Sequence, residues 1–243
     1  MPRFFVDKGA VSHDTVIIKG DDARHIARSL RMAVGDAVTV CDGDGAEYSC
    51  SLTKIRDEEC ECHILDTAEG KGEPPAEVTL FMAYPKGDKL EVVVQKAVEL
   101  GATRIIPFES SRCIKRPSPE KSDKQTARLC KIAAEAAKQC GRSRLPTVLP
   151  PIRLSELLSL IPTFDLSLLC YEDEEKKTVK DALEGALPRS ISVIVGCEGG
   201  FSPEEASEAA KAGCLPISLG HRILRCETAP SFVLSVISYV FEL

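Results

Sequence analysis

Ile191-Ser192-Val193-Ile194-Val195-Gly196-Cys197-Glu198-Gly199-Gly200-Phe201-Ser202-Pro203-Glu204-Glu205 carries an apolar, β-branched run into a glycine-rich turn and then into a helix start. Ile191 to Val195 has the length and composition of a strand buried on both faces. Ser202 is placed as N-cap and Pro203 at the first helical position, and Glu205 completes a Ser-x-x-Glu capping box. Strand, turn and capped helix make a βα unit, and the alternation continues on both sides of it. Downstream lie a strand at Leu215 to Leu219 and a closing helix from about Thr228. Upstream, the apolar run Val78 to Tyr84 leads to a helix from Asp88 to Leu100, with Leu90, Val93, Val94, Ala97 and Val98 on one face and Gly101 as its stop. A strand at Arg104 to Phe108 and a helix from about Glu120 to Cys140, ended by Gly141, come next. A helix at Arg153 to Leu160, a strand at Asp165 to Cys170 and a helix at Thr178 to Leu187 fill the interval before Ile191. The pattern predicts an α/β domain with a mostly parallel sheet covered on both faces.

The first seventy residues read differently. Phe4 to Val6, Thr15 to Ile18, Ala37 to Val40, Tyr48 to Leu52 and Glu61 to Leu65 are strand-like, with turn residues at Val34-Gly35-Asp36 and Asp42-Gly43-Asp44-Gly45. One helix, Asp21 to Leu30, interrupts them, and the whole predicts a small β-barrel. The hydrophilic stretch Glu69-Gly70-Lys71-Gly72-Glu73-Pro74-Pro75 reads as a linker, giving domains at 1–70 and 76–243.

The chain has 243 residues, 44% hydrophobic and 28% charged, which excludes disorder, collagen and coiled coil. No apolar run reaches the roughly 18 residues a membrane span needs. Met1-Pro2-Arg3-Phe4-Phe5-Val6-Asp7 meets charge too early for a signal peptide, so a cytoplasmic protein is expected. The 11 cysteines are then expected to be reduced and mostly buried. Cys60-Glu61-Cys62-His63 lacks the spaced pairs of a tetrahedral zinc site, fits strand alternation better, and no metal is expected.

Net charge is −6, which by itself argues against a nucleic-acid protein. Its distribution argues the other way. Residues 73–150 carry 14 basic and 9 acidic side chains, against 9 and 14 before them and 8 and 14 after them. Arg112 to Arg144 holds ten basic residues against Glu120, Asp123 and Glu135, a stripe able to take a polyanion through phosphate contacts, although a charge run is more often a solvated helix face.

Ligands of open α/β sheets bind beyond the carboxyl ends of the strands, which directs attention to the loops after Cys170, Val195 and Leu219. Gly196 to Gly200 can bring bare backbone amides to a ligand, yet it is neither a Walker loop nor Gly-x-Gly-x-x-Gly. A tight strand-to-helix turn would have the same composition. In Leu219-Gly220-His221-Arg222-Ile223-Leu224-Arg225-Cys226-Glu227-Thr228-Ala229, Ile223 and Leu224 could cover an apolar ring while Arg225 faces an anion. Spacing does not separate that from an ordinary surface loop.

These two loops together closely resemble the paired signature of the bacterial small-subunit (16S) rRNA uracil-N3 methyltransferases of the SPOUT class. The resemblance spans nearly the whole chain: Met1 to Phe5, His25 to Arg31, Gly35-Asp36, Lys86 to Lys89, Gln95 to Gly101, Pro107, Ser111-Arg112 and Glu135 to Arg142. Two positions depart from the family's pattern. Cys197 stands where Pro is usual and Cys226 where Thr is usual.

The resemblance implies a PUA-like β-barrel ahead of a SPOUT-type domain with a C-terminal trefoil knot, a named exception to the rule against threaded chains. It further implies S-adenosylmethionine held by backbone groups of three loops, a homodimer, and 16S rRNA within the small ribosomal subunit as partner. By position the cofactor residues are Leu169, Cys170, Tyr171, Gly196, Glu198, Gly199, Gly200, Leu219, Gly220, Ile223, Leu224 and Arg225. RNA contacts are expected at Arg3, Arg31, Lys86, Arg112, Lys115, Arg116 and Arg142. For N3 chemistry Arg225 is expected to stabilise the developing charge, and Glu198 to serve as base or as orienter of the cofactor. His25 and His221 are spare bases. Competing readings are a SPOUT methylase acting on another atom such as ribose 2'-O, a catalytically silent RNA-binding assembly factor, and a C5-type methylase using the Cys226 thiol.

Overall fold

The computed structural model describes residues 1–114, 119–186 and 188–243, with the side chains of 119–121 outside the description. It divides into two compact units, Met1–Glu73 with Ala137–Leu145, and Pro74–Ala136 with Pro146–Leu243.

In the first unit the strands are β1 (Arg3–Phe5), β2 (Val11–Ser12), β3 (Thr15–Lys19), β4 (Ala37–Cys41), β5 (Ala46–Ile55) and β6 (Glu59–Glu69). They form one mixed sheet in the order β1-β4-β5-β6-β3-β2, a half-barrel in which only β1 and β4 run parallel. Register shifts at Ser49/Cys50 and Leu52/Lys54 bend the long β5–β6 hairpin. The concave core holds Phe4, Val16, Ile18, Ile26, Val38, Val40, Cys50 and Leu52, together with Cys60 and Cys62. Glu61 and His63 alternate outward from those two thiols, as strand period requires. The helix expected at Asp21 to Leu30 is α only over α1 (Gly20–Arg24). His25–Ser29 is a π turn, closed by the Leu30 N–H on the His25 carbonyl at 2.9 Å.

In the second unit every strand pairing is parallel. Its elements are β7 (Glu77–Ala83), α2 (Lys89–Glu99), β8 (Arg104–Glu109), α3 (Pro119–Cys140), β9 (Thr147–Val148), β10 (Ile152–Arg153), α4 (Leu154–Leu160), β11 (Leu166–Cys170), α5 (Val179–Leu183), β12 (Ser190–Val195), α6 (Pro203–Lys211), β13 (Leu215–Ile217) and α7 (Ala229–Glu242). The sheet order is β10-β8-β7-β12-β11-β13, with β9 also on β8. β7 and β12 are buried along nearly their whole lengths, which is why their sequences read as unbroken apolar runs. α2 buries the five residues its period predicts, Leu90, Val93, Val94, Ala97 and Val98. The capping box of α6 forms in both directions: the Glu205 N–H reaches Ser202 Oγ at 3.2 Å, and the Ser202 N–H reaches Glu205 Oε2 at 3.0 Å. α5 is shorter than expected and stops before Gly185, whose φ of +67° breaks the helix. Leu187 lies outside the described residues. β13 likewise stops at Ile217, and Ser218 bridges to Thr178 instead. Among the described residues no helix is long and apolar enough to cross a membrane.

Candidate functional site

β12, β11 and β13 are adjacent and in register, Cys170 lying opposite both Val195 and Ile217. The three loops singled out in the sequence therefore leave the sheet side by side, level with one another.

The first loop begins with Leu169 and Cys170, both buried, and its Tyr171 N–H bonds to the Ile217 carbonyl at 3.1 Å. Burial pushes the Cys170 thiol up to about 12, so it stays a neutral packing group. The second loop is a tight turn closed by the Gly200 N–H on the Cys197 carbonyl at 3.0 Å. A Cβ on Gly196 would meet the Gly200 backbone at 3.0 Å, and one on Gly199 would meet Arg112 Cβ at 3.1 Å. Gly200 has a φ of +62° and abuts the Glu172 carboxylate. The glycines allow a close-packed strand-to-helix turn, and that turn stands at the end of β12. Cys197 is buried beside Ser110, whose Oγ also lies 3.3 Å from Cys113 Sγ. Hydrogen bonding from Cys197 and Ser110 lowers the Cys113 thiol, and Cys197 is raised as its partner.

The third loop exposes its apolar tip, with Ile223 at 90% exposure, Leu219 and Leu224 half-buried, and Gly220 at a φ of +101°. Arg225 is exposed, and its carbonyl accepts the Thr228 and Ala229 N–H groups that start α7. Burial first, and then the Glu227 carboxylate 3.2 Å away, pushes the Cys226 thiol up to about 12, which leaves little thiolate for nucleophilic attack.

Glu198 accepts the Lys86 N–H and Lys89 Nζ, each at 3.0 Å. Burial pulls its carboxyl upward, but the backbone, Lys89 and Lys86 donors outweigh that and hold it below the usual carboxylate range. Lys89 also reaches Glu227 at 3.2 Å. Lys89 and Glu227 lie within the family's sequence signature, which gives neither of them a role. The readable signal was a lysine in the first turn of a helix, where the dipole disfavours a cation.

The expected RNA contacts fall into different settings. Arg31, Lys86 and Arg112 are exposed, and Arg112 donates to the Gly199 carbonyl at 2.6 Å. Lys115 and Arg116 lie outside the described residues. Arg3 is half-buried and paired with Glu47 at 2.7 Å. Arg142 is 3% exposed and paired with Glu73 at 2.7 Å, while Glu73 also accepts the N–H groups of Ser143 and Arg144. A guanidinium so enclosed holds its own unit together and has no surface to offer a phosphate, which corrects its place in the stripe. Two further stripe residues, Arg128 and Lys138, are paired with Glu91 and Asp22. His25 and His221 are exposed.

A family model described as an RNA methyltransferase domain matches residues 72–238, and one described as an RNA methyltransferase PUA domain matches residues 18–65. The chain is 34% identical over 251 aligned residues to the ribosomal RNA small subunit methyltransferase E of Bacillus subtilis, covering 100% of this chain and 98% of that one. It is 32% identical to the protein of that name from Synechocystis, covering 99% of this chain and 78% of the relative. Among solved structures, the ribosomal RNA small subunit methyltransferase E of Neisseria gonorrhoeae bound to S-adenosyl methionine superposes with a TM-score of 0.88 at 31% identity, covering 99% and 98% of the two chains. With the methyltransferase model matching well over half of the chain and relatives above 30% identity aligned to nearly all of it, the chain belongs to the RNA methyltransferase family.

Proposed function

We propose that this protein transfers the methyl group of S-adenosylmethionine to N3 of a specific uridine in 16S rRNA of the small ribosomal subunit, acting in the cytoplasm as a homodimer. The observation that carries the reading is the level emergence of the loops after β11, β12 and β13. The cofactor carried by the Neisseria relative and the names of the curated relatives support it. A C-terminal trefoil knot belongs to the same reading, supported by the position of β13 outside β11 in the sheet.

The residues present fit the cofactor. Ile223 is an apolar side chain left almost wholly in solvent beside the half-buried Leu224, the kind of surface a purine ring would cover. Leu169 to Tyr171, Gly196 to Gly200 and Leu219 to Arg225 would hold it, chiefly through backbone groups. When bound, S-adenosylmethionine supplies an electrophilic methyl on a sulfonium.

The protein's own residues then have two tasks. Uracil must lose its N3 proton, and negative charge grows on the flanking carbonyl oxygens. Arg225, exposed at the loop tip, is the cation we assign to that charge. Glu198 is engaged by Lys86 and Lys89, and its lowered carboxyl is a weak proton acceptor, which suits an orienter better than a base; the N3 proton then passes to solvent water at the exposed loop. Because N3 is engaged in a base pair, the target must be unpaired or flipped out. The raised Cys226 thiol speaks against a covalent C5 mechanism.

The deciding experiment methylates small subunits lacking the modification with labelled cofactor, then maps and digests the product. Label released as 3-methyluridine is the expected result. Label on a ribose or another base supports a different SPOUT methylase, and no incorporation beside RNA binding supports an assembly factor.

A further inference from the structure

Lys89 opens α2 against the electrostatic preference of a helix N-terminus. What offsets this lies beyond the ammonium: Glu198 Oε1 at 3.0 Å, Glu227 Oε2 at 3.2 Å and Cys226 Sγ at 3.8 Å. An ammonium has three N–H donors, and here three acceptors surround it. The acceptors belong to two separate loops. Glu198 sits in the turn between β12 and α6, and Cys226 and Glu227 sit between β13 and α7. Lys89 is the group common to both.

The cluster is not a sealed core pair. Lys89, Glu198 and Glu227 are 31%, 29% and 25% exposed, so water reaches it and its worth as simple stabilisation is small. Lys86, on the loop just before α2, adds its backbone N–H to Glu198, so this corner of the fold grips the turn at two points. Each carboxylate would face the other across the gap if the cation were removed. They would then repel, or one would take up a proton.

We propose that Lys89 is a positioning residue for methyl transfer: it spaces the turn after β12 and the loop after β13 so that both walls of the S-adenosylmethionine site stand ready before the cofactor arrives. The inference rests on the function proposed above. Since the cost of losing Lys89 falls on assembling the site, cofactor affinity suffers before turnover does.

Lys89→Met keeps an unbranched apolar side chain and removes the charge. The KM for S-adenosylmethionine should rise by about tenfold or more, while kcat at saturating cofactor stays within about threefold. Lys89→Arg, whose guanidinium can also bridge two carboxylates, should recover most of the affinity. Calorimetric affinity for S-adenosylhomocysteine, measured without RNA, should follow KM. Glu227→Gln alone should raise KM in the same direction, and should add little on top of Lys89→Met, because the two act as one unit. A wild-type KM in Lys89→Met, a loss confined to its melting temperature, or an Arg variant as poor as the Met variant overturns the proposal. If Lys89→Met does not fold, an unchanged KM in Glu227→Gln overturns it. Wild-type protein that binds no S-adenosylmethionine overturns the proposed function and this inference together, whereas a normal Lys89→Met beside an active wild type overturns only the inference.

Discussion

Gly196→Ala asks whether the turn after β12 is held by backbone against backbone. The added Cβ would lie 3.0 Å from Gly200 Cα, 3.1 Å from its carbonyl carbon and 3.2 Å from its oxygen. None of these atoms belongs to a side chain that can swing aside, and the Gly200 N–H is tied to the Cys197 carbonyl. The turn must therefore open by a few tenths of an ångström, an overpacking that costs roughly 1–3 kcal/mol. What falls on folding lowers the melting temperature by about 2–4 °C per kcal/mol in a chain of this length. What falls on the ligand lowers affinity for S-adenosylmethionine by about tenfold per 1.4 kcal/mol. Isothermal titration with S-adenosylmethionine beside a calorimetric melt reads both shares. Gly220→Ala is the comparison: its φ of +101° makes alanine strained, but nothing lies within 4 Å of the new Cβ. It should cost about 1–2 kcal/mol of backbone strain and no steric term. Wild-type affinity and melting temperature in Gly196→Ala would refute the close-packed turn.

Arg225→Ala should lower single-turnover methylation by about a hundredfold, the scale of one lost preorganised donor, with much less effect on cofactor binding. Cys226→Ser should stay within about threefold in the same assay, since methylation at N3 requires no thiolate adduct; a dead Cys226→Ser that folds and binds cofactor would revive the C5 mechanism. Arg142→Ala strands the Glu73 carboxylate in its enclosed pair and should cost about 3–5 kcal/mol of stability in a denaturant titration, without changing the salt slope of RNA binding. Lys124→Glu with Lys131→Glu, both exposed on α3, should instead flatten that slope and spare stability; an unchanged slope would leave α3 as a solvated face. Glu198 and Glu227 are both held below the usual carboxylate range, so their contribution to stability is present above the unfolded carboxyl's titration and is lost as pH falls through the lowered folded values. Glu198→Gln with Glu227→Gln should flatten the acid limb of a stability-against-pH curve, and an unaltered limb would show that the cluster does not carry it.

The long periodic segments were readable because local chemistry and tertiary demand coincide in them. β7 and β12 are apolar throughout since both faces of a parallel sheet are covered, and α6 carries its start signal in Ser202 and Glu205. β2, β9 and β10, each two residues long, have no period to detect, and they exist because neighbouring strands offer edges. The π turn at His25–Ser29 shares its sequence pattern with an α-helix.

At the site the division is similar. Composition and order alone placed the glycine turn and the Arg225 loop after strands, and the resemblance of several separate blocks singled out the family. Tertiary structure decided which charges are free. Arg112, Arg128 and Arg142 look alike in the basic stripe, yet one caps the Gly199 carbonyl, one pairs with Glu91 and one is enclosed with Glu73. It also decided that Lys89 meets Glu198 and Glu227, residues 109 and more than 130 positions away in the chain. A side chain's charge is a local property written in the sequence. Its availability depends on which distant groups the packed sheet brings within a few ångströms, and no local pattern records that.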